Sequence, residues 1–227
     1  MTTLVPSLVG LTLGMRHALE PDHLAAVSTL ASEERGTLAG LRLGLYWGLG
    51  HTLALLVVGG SLALIGAQMP ASLGHVFELV VAVMVIGLGL RATVRAVREG
   101  RHGAEHTHSH GGLEHTHAAP PSHLHLSRWT LATRPLLIGL VHGLAGSGAL
   151  TALVLAELPT LGARLLYIAL FGAGSIVGMA LLTGLAGLPL ARLARSPRLA
   201  TALLFVTGVV STGIGAWWGL ESLAALG

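Results

Sequence analysis

The amino-acid sequence predicts an all-α integral membrane protein, whose six transmembrane helices form two inverted repeats of three helices each. Three observations support this fold class. Of the 227 residues, 52% are hydrophobic and only 10% are charged, whereas soluble domains carry about 25% charged residues. Six apolar segments each reach the roughly 20 residues that a membrane-spanning helix requires. Short motifs also recur in the two halves of the chain at a nearly constant separation, which indicates duplication of a three-helix unit.

The six predicted spans lie near residues 4–30, 38–65, 73–97, 135–156, 161–187 and 198–220. Apolar runs of this length that contain Gly and Ala are typical of helices, because barrel strands alternate in pieces of about ten residues. Many of the 32 glycines lie inside these spans, where small residues let neighbouring helices approach closely in lipid. The first repeat therefore occupies residues 1–97 and the second residues 135–227, with a loop over residues 98–134 between them.

The first span contains a cluster of ionisable residues between positions 16 and 23: an arginine, two histidines, a glutamate and the only aspartate of the chain. An ionisable residue in hydrocarbon costs about 2.5–3.5 kcal/mol, so such a cluster indicates a functional site. Pro21 removes a backbone donor and disfavours the α conformation of the preceding residue. We therefore predict that the first helix is broken near Pro21, as helices that line an intramembrane cavity can be.

Three side chains of this cluster have the chemistry of metal ligands. His17, Asp22 and His23 offer two imidazoles and one carboxylate, which suit a divalent metal ion. On an unbroken helix they point in different directions, so they converge only if the backbone unwinds at the proline. The sequence thus predicts an intramembrane cation site. Two neighbours are secondary candidates: Glu20 either ligates the ion or pairs with Arg16, and we interpret Arg16 as a counter-ion of the carboxylates.

His51 in the second span and His142 in the fourth are further candidate ligands. A lone histidine inside a span is often only hydrogen-bonded to a neighbouring helix. The recurring motifs favour a ligand role, because they align His142 with His17, 125 positions earlier, and His51 with Ser175, 124 positions later. A unit of three spans must insert its second copy upside down, and inverted repeats bind substrate at their interface near the midplane.

The two copies differ in their candidate ligands. The second copy carries Ser147 at the position equivalent to Asp22 and Ser175 at the position equivalent to His51. Serine hydroxyls are weak oxygen donors that more often support helix packing, so both are secondary candidates. The predicted site is therefore asymmetric.

The loop over residues 98–134 is rich in histidine and is predicted to be disordered, because Gly, Ser, Thr and Pro separate the histidines. It is either a plain soluble linker or a weak, multi-site metal buffer. We favour the buffer, since neutral imidazole suits late first-row metals. The loop histidines are His102, His106, His108, His110, His115, His117, His123 and His125.

All 13 Lys and Arg residues of the chain are arginines, and most of them flank the connections on one side of the predicted bundle. The positive-inside rule then places both termini outside and the histidine-rich loop in the cytoplasm of a prokaryotic cytoplasmic membrane. The arginines lie between apolar segments and form no surface interleaved with aromatic residues, so we expect no nucleic-acid partner. The absence of cysteine excludes a disulfide framework and a thiolate metal site.

Three motifs resemble those of the nickel/cobalt transporter family. Residues 16–23 (Arg-His-Ala-Leu-Glu-Pro-Asp-His) resemble the family signature, and residues 49–52 (Leu-Gly-His-Thr) resemble its second motif. Residues 141–148 (Val-His-Gly-Leu-Ala-Gly-Ser-Gly) are similar to the six-span branch described as urease accessory protein-like transmembrane proteins. Typical family members have eight spans. The resemblance implies passage of Ni2+ or Co2+ across the inner membrane, with His17, Asp22 and His23 as ligands.

We therefore predict a transporter that carries Ni2+ or Co2+ as cargo and holds no cofactor; Zn2+ and Fe2+ stay open as alternative ions. Uptake is slightly favoured, because an inside-negative potential drives a dication inward by about 4.6 kcal/mol per 100 mV. The spans carry no extra carboxylate relay that would couple export. The predicted ligands are His17, Asp22, His23, His51 and His142.

Other functions are weighed against this one. The chain is alternatively a metal exporter of the same fold, or a non-transporting accessory or sensor for urease or hydrogenase maturation. Its partners are then the lipid bilayer, the ion, and a cytoplasmic metallochaperone or the maturation proteins. An enzyme is disfavoured: Gly146-Ser147-Gly148 resembles the nucleophile loop of rhomboid-type proteases, but no histidine follows His142 to act as its base.

Overall fold

The computed structural model describes residues 4–33, 36–101, 105–110, 113–118, 128–145, 158, 160–193 and 196–227. Within these residues the chain forms seven helices and one hairpin of two strands. The helices are α1 (Leu4–His17), α2 (Pro21–Glu33), α3 (Thr37–Ile65), α4 (Ala71–Arg101), α5 (Arg128–His142), α6 (Leu161–Leu193) and α7 (Pro197–Ala224), and the strands are β1 (Glu105–His110) and β2 (Leu113–Ala118).

Four of these helices, α3, α4, α6 and α7, are long and apolar enough to cross a membrane. At about 1.5 Å per residue, each exceeds the ~30 Å of a bilayer's hydrocarbon core. Large apolar side chains are exposed on their outer faces, among them Val57, Val83 and Leu185. An apolar surface this extensive is expected where lipid rather than water covers the protein. The chain is therefore a membrane protein.

The remaining helices are half-length, and the prediction of a broken first helix is confirmed. α1 has 14 residues and ends at His17, and α2 has 13 residues and begins at Pro21. Proline fits this first helical position because its missing N–H would be unsatisfied there anyway. Between the helices, the amide of Leu19 donates to the carbonyl of Arg16 at 2.9 Å. α5 has 15 residues, and residues 146–156 of the span predicted over 135–156 lie outside the described residues.

The centre of the bundle is the antiparallel pair α3 and α6. Their close approach depends on glycine, because a Cβ on Gly44 would overlap the carbonyl of Met179 and one on Gly172 would overlap the side chain of Thr52. Between these points Gly48 faces Ile176. Small residues thus bring the two backbones together at mid-span.

The half-helices α1 and α5 lie on opposite members of this central pair. α1 runs parallel to α6, and α5 runs parallel to α3. Since α3 and α6 are antiparallel, α1 and α5 also run in opposite directions. The directions follow from the order of the contacts. Along α6, Tyr167 contacts Gly10 of α1, and Gly178 contacts Ala18, the residue after α1. Along α3, Trp47 contacts Gly139 of α5, and Ala54 contacts Gly143, the residue after α5.

The helices α4 and α7 form a second antiparallel pair, with Gly89 against Gly208. α2 is joined to this pair by polar and apolar contacts. The hydroxyl oxygens of Thr29 and Ser211 lie 2.7 Å apart, and each lies 2.8 Å from the carbonyl oxygen of Ala25, so one hydroxyl donates to the other and the second donates to the carbonyl. This buried network positions the helix that carries Asp22 in its first turn.

The loop expected to be disordered contains paired backbone. β1 and β2 are antiparallel, with His106 opposite His117 and His108 opposite His115. The sequence between the strands is Gly-Gly, a hairpin signal that the prediction overlooked. The loop as a whole stays a prediction, since these two segments are the described part of it between α4 and α5, and α4 ends at Arg101.

Candidate metal centre

Five polar side chains from four helices converge where α1 and α2 break. Each is nearly inaccessible to solvent, with the largest exposure, 6%, at Asp22. All five were predicted as ligands from the sequence. They are His17 at the end of α1, Asp22 and His23 in the first turn of α2, His51 in the middle of α3 and His142 at the end of α5.

The helix break produces the convergence within the first span. Because the chain turns between His17 and Pro21, the start of α2 brings His23 back against His17, with ring centroids 4.3 Å apart. The ring of His142 reaches His23 from the other side, at a centroid distance of 4.1 Å. Imidazoles from both halves of the chain therefore share one buried space.

Two carboxylates orient two of the imidazoles. Glu20 Oε2 lies 2.9 Å from His17 Nδ1, and Asp22 Oδ1 lies 3.1 Å from His23 Nδ1. An ionised carboxylate only accepts hydrogen bonds, so each Nδ1 must carry the proton. In a neutral ring, the Nε2 atom then carries the lone pair. Carboxylates that fix an imidazole in this way are a common second layer around protein metal sites.

The opposing nitrogens of His17 and His51 have a spacing that suits a shared ion. Their Nε2 atoms are 3.0 Å apart. Two nitrogens that bind one ion at about 2.1 Å and at right angles lie about 3.0 Å from each other. The two rings form a hydrogen bond when one Nε2 is protonated, and they offer two ligands when neither is.

Asp22 also connects the two halves of the chain, because its Oδ2 accepts a hydrogen bond from His142 Nε2 at 2.8 Å. His142 Nδ1 and His23 Nε2 are then unprotonated in neutral rings. Neither atom has a hydrogen-bond partner among the residues that the structure describes. Buried nitrogens with lone pairs and no donor are the atoms that a metal ion satisfies.

The ligand atoms form two overlapping groups. One group is His17, His23 and His51, and the other is Asp22, His23 and His142; within each, the ligand atoms lie within 4.8 Å of one another. Ligands of one ion at about 2.1 Å are at most about 4.2 Å apart. The atoms of each group therefore lie close to the separations that coordination of one ion requires.

The backbone adds a favourable field. α1 ends at His17 and α5 ends at His142, so two helix C-termini lie at the cluster, against the single N-terminus of α2. The carboxyl end of a helix carries about half a negative charge, which stabilises a cation. Broken helices of transporters use the same arrangement.

Two aromatic rings enclose the cluster, and sequence reasoning missed both. Trp47 stacks on His23 at a centroid distance of 5.4 Å and lies 5.5 Å from His142. Phe171 lies 5.4 Å from His17. The available signal was positional: the repeat alignment places Trp47 and Phe171 at equivalent positions, each four residues before a candidate ligand.

The secondary candidates do not join the cluster in the predicted way. Ser175 is buried, but its hydroxyl donates to the carbonyl of Phe171 in its own helix at 3.0 Å. Arg16 is exposed, and Glu20 pairs with His17 instead of with Arg16. Arg16 therefore does not have the position of an internal counter-ion.

The remaining predicted candidates are Ser147 and the loop histidines. Ser147 lies outside the described part of the chain, as do His102, His123 and His125. The other loop histidines are located by backbone only, in the two strands: His106, His108, His110, His115 and His117.

Comparison with known proteins agrees with this chemistry. The family described as NicO, high-affinity nickel-transport protein, matches residues 5–194. Urease accessory protein UreH of Bacillus sp. (strain TB-90) is 33% identical over 207 residues, which cover 91% of this chain and 87% of that protein. No solved structure matches the chain. The matched region includes all five buried polar side chains.

Proposed function

Because the chain belongs to the NicO family of high-affinity nickel-transport proteins, we propose that its buried histidine cluster binds Ni2+ during passage across the membrane. The protein is a nickel-related membrane transporter and not an enzyme. The proposal concerns how it holds the ion. His17, His23 and His51 supply imidazole nitrogens, Asp22 and His142 complete the site, and Glu20 orients His17.

One observation supports this site above all: three buried imidazoles offer nitrogens within 4.8 Å of one another, two of them oriented by carboxylates. Imidazole and carboxylate ligands suit Ni2+ and Co2+, and Co2+ is therefore a second candidate cargo. The two carboxylates also offset charge that a dication brings into a low-dielectric interior.

The packing supports the proposal of six spans in two inverted repeats. α1 and α2 would form the first span, and α5 with the residues after it the fourth. Helix contacts recur at the repeat offset, and so does the turn after each half-helix. Gly174 of α6 contacts Leu11 and Met15 of α1, and the equivalent Gly50 of α3 contacts Leu136 and Leu140 of α5. Between α4 and α7, Gly89 contacts Gly208 and Thr212, and the equivalent Gly215 contacts Ala82 and Ile86. The amide of Leu19 donates to the carbonyl of Arg16, and the equivalent amide of Leu144 donates to the carbonyl of Val141.

We further propose that the arginine-rich ends of the helices face the cytoplasm of a prokaryotic inner membrane, with both termini outside. Gly187 near the end of α6 faces Gly36 at the start of α3, and Gly100 near the end of α4 faces Thr201 at the start of α7. These contacts support a common end of the bundle for most of the arginines in the described helices. An inside-negative membrane potential drives Ni2+ inward whichever way the protein is oriented.

Two alternative functions would use the same metal site. The first is an exporter of the same fold, and the second is a non-transporting role beside urease or hydrogenase maturation proteins; the similar UreH is named a urease accessory protein. A cytoplasmic metallochaperone would then receive the ion. The loop histidines would hold ions at the cytoplasmic face.

Flux into proteoliposomes tests the proposal. Purified protein should carry Ni2+ inward when a potassium diffusion potential makes the interior negative, and His23→Ala should abolish this flux. The matched control is His75→Ala, since His75 is a half-exposed histidine at the start of α4 that pairs with Glu78. Normal flux in His23→Ala would refute the site, and absence of flux in the parent protein would favour the accessory role.

The role of the loop is tested separately. Deletion of residues 103–125 should change the amount of bound Ni2+ but leave measurable flux, because the intramembrane site stays intact. Complete loss of flux would mean that the loop is part of the pathway.

A further inference from the structure

We propose that Trp47 and Phe171 close the ion site from its two sides, and that they open alternately as the ion passes. This inference rests on the proposed transport function and gives a role to two apolar clusters. The Trp47 cluster is Trp47, Met179 and Ile138. The Phe171 cluster is Phe171, Leu55 and Leu13.

Both aromatic rings lie directly against ligand imidazoles. Trp47 is fully buried and packs on His23 and His142. Phe171 is 4% exposed and packs on His17. An ion cannot leave the cluster past either ring unless the ring moves.

The two clusters lie on opposite sides of the site along the helix axes. On α3, Trp47 precedes His51 by one turn and Leu55 follows it by one turn, about 6 Å each way. α6 runs in the opposite direction, and Met179 faces Gly44 on the Trp47 side. Phe171, two turns earlier in α6, is therefore on the Leu55 side. The Trp47 cluster faces the start of α3, and the Phe171 cluster faces its end.

Apolar side chains are suited to this role. A hydrophobic constriction excludes water and therefore a hydrated dication, and it conducts only when it opens. The Trp47 cluster continues into the buried residues Val27 and Ala31 of α2. The Phe171 cluster continues into Ile168 and Tyr167 of α6. The structure thus has the site closed on both sides.

The repeat alignment relates the two clusters residue by residue. Trp47 is equivalent to Phe171, and Leu55 to Met179, at an offset of 124; Leu13 is equivalent to Ile138 at an offset of 125. The imidazoles they cover, His17 and His142, are equivalent as well. In inverted repeats, the conformation of one half is exchanged with that of the other as access alternates. A motion that opens one cluster is then the motion that closes its counterpart.

Thiol labelling from each side of the membrane tests this inference. The chain contains no cysteine, so Ser175→Cys introduces a single thiol in the layer of the site with almost no change in volume. In the full-length protein in proteoliposomes, a membrane-impermeant thiol reagent should label this cysteine slowly from either side. Adding Trp47→Ala should accelerate labelling from the arginine-rich side only, and Phe171→Ala from the other side only, by on the order of tenfold or more.

Two conservative variants and one control variant distinguish the loss of a closing side chain from misfolding. Trp47→Phe and Phe171→Leu keep an apolar side chain and should show the same sidedness with a smaller change. Leu49→Ala, at an exposed position of α3, should leave labelling unchanged. Equal acceleration from both sides, or no acceleration in a variant that stays monodisperse, would overturn the inference. If labelling shows the expected sidedness but the protein carries no Ni2+, the transport function is refuted, whereas the closure of the site by Trp47 and Phe171 is confirmed.

Discussion

Replacement of Asp22 by asparagine tests how the carboxylate organises the site. Asp22 accepts hydrogen bonds from His23 Nδ1 at 3.1 Å and from His142 Nε2 at 2.8 Å. An asparagine side chain has the same shape but presents one oxygen and one NH2 group. One of the two imidazoles must then accept a hydrogen bond where it now donates. If that ring is His23, its proton moves to Nε2 and removes the lone pair that would bind the ion.

The expected loss is substantial but not total. For an ion held by His17, His23 and His51, Asp22 orients His23 from outside, and removal of such an outer partner costs about 10–100-fold in metal affinity, which corresponds to about 1.4–2.8 kcal/mol. Loss of the carboxylate charge acts in the same direction, and Asp22 is only 6% exposed, so solvent screens little of the effect. Glu20→Gln should cost less, because the side chain of Glu20 is 36% exposed.

The assay is calorimetric titration of the purified protein with Ni2+. The matched control is Glu78→Gln, which changes the carboxylate of another histidine–glutamate pair three residues apart, with His75 Nδ1 at 3.0 Å. This control should bind Ni2+ like the parent. Unchanged affinity in Asp22→Asn, or an equal loss in Glu78→Gln, would refute the reasoning.

Two other predictions concern packing and the aromatic neighbours. Gly139→Ala should destabilise the protein by about 1–3 kcal/mol, because its Cβ would overlap the carbonyl of Trp47. Gly213→Ala is the control and should not destabilise it, because there is open space around Gly213. Equal thermal stability of the two variants in detergent would contradict the helix packing. Ni2+ or Co2+ should quench part of the tryptophan fluorescence, because Trp47 stacks on His23, and Trp47→Phe should remove that quenching while Ni2+ still binds. Quenching that persists unchanged in Trp47→Phe would place the ion near another of the four tryptophans.

Local chemistry made the first span predictable. Proline imposes its backbone restriction wherever it occurs, so the break at Pro21 and the chance for His17 and His23 to meet follow from neighbouring residues alone. The repeat offset then pointed to His142. The contact between His17 and His51 depends instead on how α1 and α3 pack on α6, which a single sequence does not specify.

The partner of Glu20 and the roles of Trp47 and Phe171 could be seen only in the structure, for a different reason. Glu20 had two plausible partners within one turn, and the geometry of the turn at residues 18–20 decides for His17 over Arg16. Trp47 and Phe171 lie in long apolar runs, where every position is hydrophobic and periodicity carries no information about which side chain covers a site. The hairpin was missed because composition outweighed the Gly-Gly signal between its strands.

X-ray absorption at the nickel edge tests most directly whether imidazoles hold the ion. The sample should be the full chain with its eight loop histidines replaced by asparagine and loaded with one equivalent of Ni2+, so that only the intramembrane site is observed. Two or three imidazole ligands at about 2.1 Å are expected, and His23→Ala should reduce their number or abolish loading. A spectrum with oxygen ligands alone, unchanged in His23→Ala, would contradict the site.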